Sequence, residues 1–311
     1  MQTYLTLLLK GIAMGAANVI PGVSGGTIAL ITNIFERLIN AIKSFNIRTF
    51  KLLISGKFKA FAKETDLWFL ITVFGGVAIA ILSLARLFDY LFNHYPVYVW
   101  AYFFGLVLAS VYFVGKTVSK WHKSVIISLF TGLSIAIIIS LLNPATENDS
   151  FLYLLLCGAA GVCSMILPGL SGSFILFVMG NYQLVMIDAV NELNLQILIP
   201  VIIGAALGLL AFSHLLSLVL RKYRNQTIAL LTGFILGSLR ILWPWQRPVY
   251  LTNASGEALL KDGSQIIVNY QQYFPESFSR EVLFALIWIT LGVASITVIE
   301  LLAKKHPHST S

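Results

Sequence analysis

Two stretches decide the fold: Pro21-Gly22-Val23-Ser24-Gly25-Gly26-Thr27-Ile28 and Pro168-Gly169-Leu170-Ser171-Gly172-Ser173-Phe174-Ile175. They lie about 147 residues apart, close to half the chain, which is the spacing of an internal duplication. The echo extends outward from them. Gly11 answers Gly158 and Gly75 answers Gly204, and a one-residue shift brings Gly105 and Ser110 onto Gly233 and Ser238. Between these markers run five corresponding pairs of apolar segments, about 4–20, 24–43, 67–92, 97–115 and 124–142 in the first half. The second half gives about 151–167, 170–190, 195–220, 226–243 and 282–302. An odd number of segments per copy turns the second copy over relative to the first, the architecture of many alternating-access transporters.

Composition names the solvent for such a chain. Charged residues make up 11% and hydrophobic ones 58%, whereas a soluble domain carries about a quarter charged residues. The runs 67–87, 125–142 and 195–220 each supply the roughly 20 apolar residues that cross a bilayer as a helix. The formal net charge of +8 does not point to nucleic acid, because the Lys and Arg residues cluster in short loops, where they report orientation. One such loop holds Lys43, Arg48, Lys51, Lys57, Lys59 and Lys63, the next Lys116, Lys120 and Lys123, and a third Arg221, Lys222 and Arg224. These loops and the C-terminus, with Lys304 and Lys305, are predicted cytoplasmic; the turns carrying Glu147, Asp149, Asp188 and Glu192 are predicted outside. Met1–Lys10 lacks the basic start and small-residue cleavage site of a signal peptide, so the first apolar stretch is expected to be retained. Cys157 and Cys163 fall inside one apolar run and read as two reduced thiols, neither disulfide nor metal site.

The expected fold is therefore an all-α, polytopic membrane protein in one integrated domain. It comprises two inverted-topology repeats, residues 1–142 and 151–302. Each opens on a Pro-Gly hairpin, about 4–43 and 151–190, followed by three transmembrane helices, with 244–281 as an extracytoplasmic loop. The hairpin turns contain no charge, and irregular backbone at membrane depth is tolerated only when buried in protein or lining a wet cavity. That favours re-entrant hairpins entering from opposite faces, with ordinary spanning hairpins as the alternative.

Re-entrance would give the turns a chemistry. Pro21 and Pro168 end one helix, Gly22 and Gly169 allow the sharp turn, and Ser24 and Ser171 stand at the N-cap position of the next. The amides of Gly25, Gly26 and Thr27, and of Gly172 and Ser173, would then be available to an anion near the midplane. Small residues also serve close helix packing, and for the glycines both readings stand. Embedded charges extend the candidate set. Glu36 and Arg37 follow the first motif and could pair with each other, guide a headgroup or mark the cytoplasmic end. Arg240 lies in an apolar run with no acidic residue nearby in sequence, which suits a phosphate partner.

The blocks Gly15-Ala16-Ala17-Asn18-Val19-Ile20-Pro21-Gly22-Val23-Ser24-Gly25-Gly26-Thr27 and Met165-Ile166-Leu167-Pro168-Gly169-Leu170-Ser171-Gly172-Ser173, with Phe35-Glu36-Arg37-Leu38-Ile39, resemble the bacterial PopT family of polyprenyl-phosphate translocases. The likeness spans nearly the whole chain. It implies return of undecaprenyl phosphate, the carrier lipid of cell-envelope and peptidoglycan synthesis, from the outer to the inner leaflet of the cytoplasmic membrane. Asn18 departs from the pattern, which leads one to expect an acidic residue there; this puts a carboxylate role at that position in doubt. A coupling proton or sodium ion fits such a cycle, but no residue pattern identifies one, and no cofactor, metal or catalytic residue is expected.

Two other functions compete. Integral-membrane polyprenyl-diphosphate phosphatases also place Pro-Gly-x-Ser motifs on repeated hairpins, but their pattern resembles Pro-Gly-x-Ser-Arg-Ser beside a glutamate cluster. Here Gly25 and Gly172 occupy the Arg positions, so the electrophilic clamp on a leaving phosphate is missing. A transporter of small soluble anions would use the same inverted architecture with a central, water-filled cavity.

Overall fold

The computed structural model describes residues 4–19, 25–142, 144–250, 260–261, 264–265 and 267–305. Chain order gives α1 (Tyr4–Val19), α2 (Gly25–Ile31), α3 (Phe35–Lys43), α4 (Ile47–Ile54), α5 (Phe58–Glu64), α6 (Leu67–His94), α7 (Pro96–Gly115) and α8 (Lys123–Leu141). There follow α9 (Phe151–Ile166), α10 (Gly172–Val178), a π-helical turn (Gln183–Asp188), α11 (Ala189–Asn191), α12 (Leu195–Lys222), α13 (Arg224–Ser238) and α14 (Arg280–Lys305). Among the described residues five helices, α6, α7, α8, α12 and α14, are long and apolar enough to cross a bilayer. Their outward faces carry exposed Ile, Leu, Phe and Val while one shared core is buried; the chain is a multi-pass membrane protein.

Glycine sets the helix pairs. A Cβ on Gly105 of α7 would fall on the backbone oxygen of Ile289 in α14, and one on Gly292 of α14 would fall on that of Tyr102 in α7. The same reciprocal approach joins α8 to α13, with Gly132 against Leu230 and Gly233 against Leu129. It joins α1 to α6, through Gly11 on Val73 and Gly76 on Leu8, and α9 to α12, through Gly158 on Val201 and Gly204 on Leu155. Backbones this close exchange van der Waals contact that larger side chains would prevent, and such contact is what drives helix association when the surroundings are as apolar as the helices. Gly76 thus packs on α1 as Gly204 packs on α9, while Gly75 faces open space.

Other joints also occur twice. A single residue links α6 to α7 and another links α12 to α13. These are Tyr95 (φ −138°, ψ 45°) and Tyr223 (φ −134°, ψ 53°), each donating its N–H to the carbonyl four residues back at 2.7 Å. After α2 the chain turns at Asn33 (φ 57°) with Ile34 N–H on the Ala29 carbonyl; after α10 it turns at Gly180 (φ 75°) with Asn181 N–H on that of Leu176. Both are Schellman-type stops, in which a left-handed residue lets the chain satisfy the last helical carbonyls.

Several segments differ from the sequence expectation. The stretch 24–43 is two helices broken at Thr32–Ile34, and 170–190 is divided by the Gly180 turn and the π-helical turn. The basic stretch after Lys43 forms α4 and α5. The segment 244–281 contains an antiparallel ribbon, β1 (Gln246–Tyr250) with β4 (Ile267–Gln272), and a second short pair, β2 (Leu260–Lys261) with β3 (Ser264–Gln265). The chain is therefore predominantly, not wholly, helical. Trp243, Trp245 and Tyr273 pack the base of the β1–β4 ribbon against α7 and α14.

Candidate functional site

The site is built where the two motifs meet. Pro21, Gly22 and Ser24 lie outside the described residues. Gly25, Gly26 and Thr27 form the first turn of α2 and are buried. Asn18, near the end of α1, accepts the Gly25 N–H on Oδ1 at 2.8 Å and so caps α2 across the turn. Sequence reasoning treated Asn18 only as a departure; its neutral amide supplies the acceptor that the first helical N–H requires.

In the second motif Pro168, Gly169 and Leu170 are buried. Gly169 takes φ +84°, and a Cβ there would stand 2.6 Å from the Phe234 carbonyl oxygen of α13. Its N–H donates to Thr27 Oγ1 at 3.1 Å. That bond joins motif to motif across 142 residues of sequence. Ser171 holds the N-cap position of α10 in extended geometry, but its side chain does not cap the helix; its Oγ lies 2.8 Å from that of Ser173. Ser171 thus stands at the N-cap position as expected, but its hydroxyl is paired with that of Ser173, half-buried beside the buried Gly172.

The charges do not join this meeting point. Arg37 makes a two-pronged ion pair with Asp66, Nε to Oδ2 at 2.6 Å and Nη2 to Oδ1 at 3.0 Å, and its guanidinium lies 4.2 Å over the Phe69 ring. Glu36 accepts from Arg224 at 3.1 Å. Neither residue pairs with the other: each binds a partner brought from another element. Arg240 follows α13, is exposed, and forms no ion pair among the described residues; its carbonyl accepts from Gln272 Nε2 at 3.2 Å.

Helix α13 gives the scale. It starts at Arg224, beside the Glu36–Arg37 step, and its 15 residues rise about 22 Å at 1.5 Å each. Gly169 touches it at Phe234, about 15 Å from Arg224. Arg37 and Arg240 thus sit near opposite ends of α13 with the motifs between them, and one headgroup cannot touch both arginines together.

The Arg37–Asp66 side chains are 45% and 38% exposed. Asp66→Asn is accordingly expected to cost at most about 1 kcal/mol, the range of exposed ion pairs. A shift of the thermal midpoint in detergent of only a degree or two checks this; a much larger loss would mean that the pair clamps α3 to α6.

One residue escaped the sequence reading. Lys10, in α1, donates from Nζ to the Thr32 carbonyl at the end of α2, at 2.6 Å. On the second hairpin Tyr153 of α9 donates its hydroxyl to the Met179 carbonyl after α10, at 2.7 Å. A lone ionisable group between residues 4 and 20 was the available signal, since such groups are costly at membrane depth and need a partner. Cys157 and Cys163 are free thiols.

Residues 14–259 match the model of a family described as undecaprenyl phosphate translocase-like. A Vibrio cholerae protein named polyprenyl-phosphate transporter is 41% identical over 257 residues, which cover 82% of this chain and 83% of that protein. A Staphylococcus aureus protein of the same name is 33% identical over 255 residues, or 76% of this chain and 85% of its own. No solved structure matches the chain.

Proposed function

Since the chain belongs to the undecaprenyl phosphate translocase-like family, we propose that it returns undecaprenyl phosphate from the outer to the inner leaflet of the bacterial cytoplasmic membrane. It works by alternating access around two re-entrant hairpins and is a transporter, not an enzyme. Both relatives are named as transporters of polyprenyl phosphate. The observation that carries the reading is the Gly169–Thr27 bond, which brings the two uncharged turns together about 15 Å along α13, half the thickness of a hydrocarbon core of about 30 Å.

Three further observations support re-entrance and inversion. The first arms, α1 and α9, have 16 residues each, about 24 Å of helix against a core of about 30 Å. Helix α8 reverses α7, which reverses α6, so α8 runs with α6. Successive approaches, Gly233 to Leu129 and Gly237 to Ala136, advance together along both helices, so α13 runs with α8. Helix α12 doubles back into α13 at Tyr223 and so opposes α6, its counterpart in the other half. The repeats are residues 1–142 and 151–302, with the basic loops and the C-terminus cytoplasmic and 244–281 outside.

In this cycle the phosphate is received at the paired Ser171 and Ser173 hydroxyls and the Gly172 turn, with Pro168 and Gly169 shaping the approach and Gly25, Gly26 and Thr27 forming the facing half. Arg37 and Arg240 act in turn, one near each side, Glu36 holding Arg224 beside the inner end. The prenyl tail stays in lipid, and rocking of the two halves changes which leaflet the turns face.

A phosphatase would need a cation where the glycines are. At Gly25 even a Cβ would stand 2.8 Å from Asn18 Nδ2, and at Gly172 one would stand 2.6 Å from Met165 Cγ and 2.8 Å from the Gly161 carbonyl oxygen. An arginine at Gly172 would meet backbone, and one at Gly25 would displace the Asn18 amide that caps α2. Purified protein in liposomes loaded with undecaprenyl phosphate in one leaflet is expected to speed its appearance in the other. Movement at the protein-free rate, or phosphate release from undecaprenyl diphosphate, would overturn the proposal.

A further inference from the structure

The helices α4 and α5 present an apolar stripe that no other element among the described residues covers. Asn46 caps α4 by accepting the Arg48 and Thr49 N–H groups at 2.9 and 3.2 Å, while Thr49 Oγ1 accepts the Asn46 N–H at 3.0 Å. Thr49 is buried and also donates to the Ser44 carbonyl at 2.8 Å, which fixes how α4 leaves α3. With Thr49 turned inward, Ile47, Phe50 and Ile54 fall on the opposite face at spacings of three and four, one stripe of an α-helix. They are 78%, 60% and 73% exposed, and Phe58 at the start of α5 is 64% exposed. The pair of helices is not loose. Arg48 reaches Glu64 at 3.3 Å, and Phe61 packs edge-on against Phe45 with ring centres 5.9 Å apart.

Chain connectivity fixes where this stripe lies. Three residues, 44–46, separate α3 from α4, and two, 65–66, separate α5 from α6, a bilayer-crossing helix. Three residues span at most about 10 Å, so the pair is tied to the membrane boundary at both ends. Exposed cations flank the apolar stripe: Lys51 on α4, Lys57 at the joint, and Lys59 and Lys63 one turn apart on α5. The acidic residues nearby, Glu64 and Asp66, are engaged by Arg48 and Arg37. A helix with large aromatic and aliphatic residues on one face, beside lysines, is the form that lies in the plane of a bilayer interface.

We propose that α4 and α5 form an in-plane platform that seats Ile47, Phe50, Ile54 and Phe58 at the boundary between headgroups and acyl chains, while Lys51, Lys57, Lys59 and Lys63 gather anionic lipid headgroups beside the start of α6. The lipid recognised is any with a negatively charged phosphate, so the inference holds whichever lipid the chain moves.

The test uses the full chain reconstituted in bilayers of mixed phosphatidylglycerol and phosphatidylcholine. With Cys157→Ala and Cys163→Ser as background, Ile54→Cys carries a fluorophore. Lipids bearing a nitroxide near the top of the acyl chain are expected to quench it, and aqueous iodide is not. Quenching by iodide alone, or by neither agent as beneath a protein cover, would overturn the platform. A second arm compares nitroxides carried on the headgroups of the two lipids. Phosphatidylglycerol is expected to quench at least about threefold more strongly per molecule, as four lysines near a surface should ensure. Replacing Lys51, Lys57, Lys59 and Lys63 by Gln brings the ratio to unity, and replacing them by Arg keeps it. A ratio of unity with the native lysines would overturn the charge role. Neither arm measures transport, so each stands apart from the liposome assay.

Discussion

Gly169→Ala is expected to give a chain that still enters the membrane but moves lipid phosphate at least about tenfold more slowly, since about 1.4 kcal/mol corresponds to a factor of ten. Two separate penalties fall on one methyl group. The first is conformational: Gly169 sits at φ +84°, and an L-residue in left-handed backbone pays roughly 1–2 kcal/mol. The second is steric. The new Cβ would lie 2.6 Å from the Phe234 oxygen, 2.7 Å from its carbonyl carbon and 2.8 Å from the Ile235 nitrogen, all backbone atoms of α13. Backbone cannot swing aside as a side chain would, and overpacking of this kind costs about 1–3 kcal/mol. The strain is relieved only if the second turn withdraws from α13, and withdrawal pulls the Gly169 N–H off Thr27. Gly161→Ala is the matched control in the same hairpin, since a Cβ there meets Leu176 at an ordinary 3.6 Å. It should transport normally. Membrane abundance of both variants, followed by the liposome assay, checks the result; equal rates would mean that the second turn has no part in the cycle.

Why Gly169 could be singled out at all shows what the sequence makes legible. A Pro-Gly pair interrupting apolar helix twice at one interval has few physical explanations, and a dense apolar composition leaves only the bilayer as solvent. Membrane-crossing helices follow from local chemistry and are readable one segment at a time. The meeting of Thr27 with Gly169 is not local, and nothing in either motif announces it. The same holds for the charges. Glu36 and Arg37 are neighbours in sequence and suggest a pair, yet adjacent helical positions point about 100° apart, so each finds a partner elsewhere. Asp66 is 29 residues from Arg37, and Arg224 is 188 from Glu36. Two adjacent glycines look alike in sequence, and only helix rotation decides that Gly76 meets Leu8 while Gly75 faces outward. The β1–β4 ribbon in 244–281 escaped because its pairing joins residues such as Gln246 and Gln272, or Tyr250 and Ile267, that are far apart in sequence, beyond the reach of a turn signal.

Thr27→Val carries the second large effect, through a bond the protein can neither replace nor solvate. Thr27 is 1% exposed, and its Oγ1 accepts the Gly169 N–H in a buried contact. Valine keeps nearly the same shape but offers no acceptor, leaving a buried amide unsatisfied at about 1–3 kcal/mol. Water would repair such a loss at a surface; in a buried contact it is not to hand. The two turns are then no longer fastened to each other, and transport is expected to fall between about fivefold and a hundredfold. Thr27→Ser separates this from mere packing, because serine keeps the oxygen and gives up only the methyl group. Its rate should return close to that of the native chain even though it fills the site less well. The double variant Thr27→Val with Gly169→Ala completes a cycle. If both changes act by parting the turns, the second adds little to the first, with a coupling on the order of 1 kcal/mol, as residues in direct contact show. Strict additivity of the two defects, or a valine variant as fast as the native chain, would mean that the turns work independently, and a shared headgroup site between them could not stand.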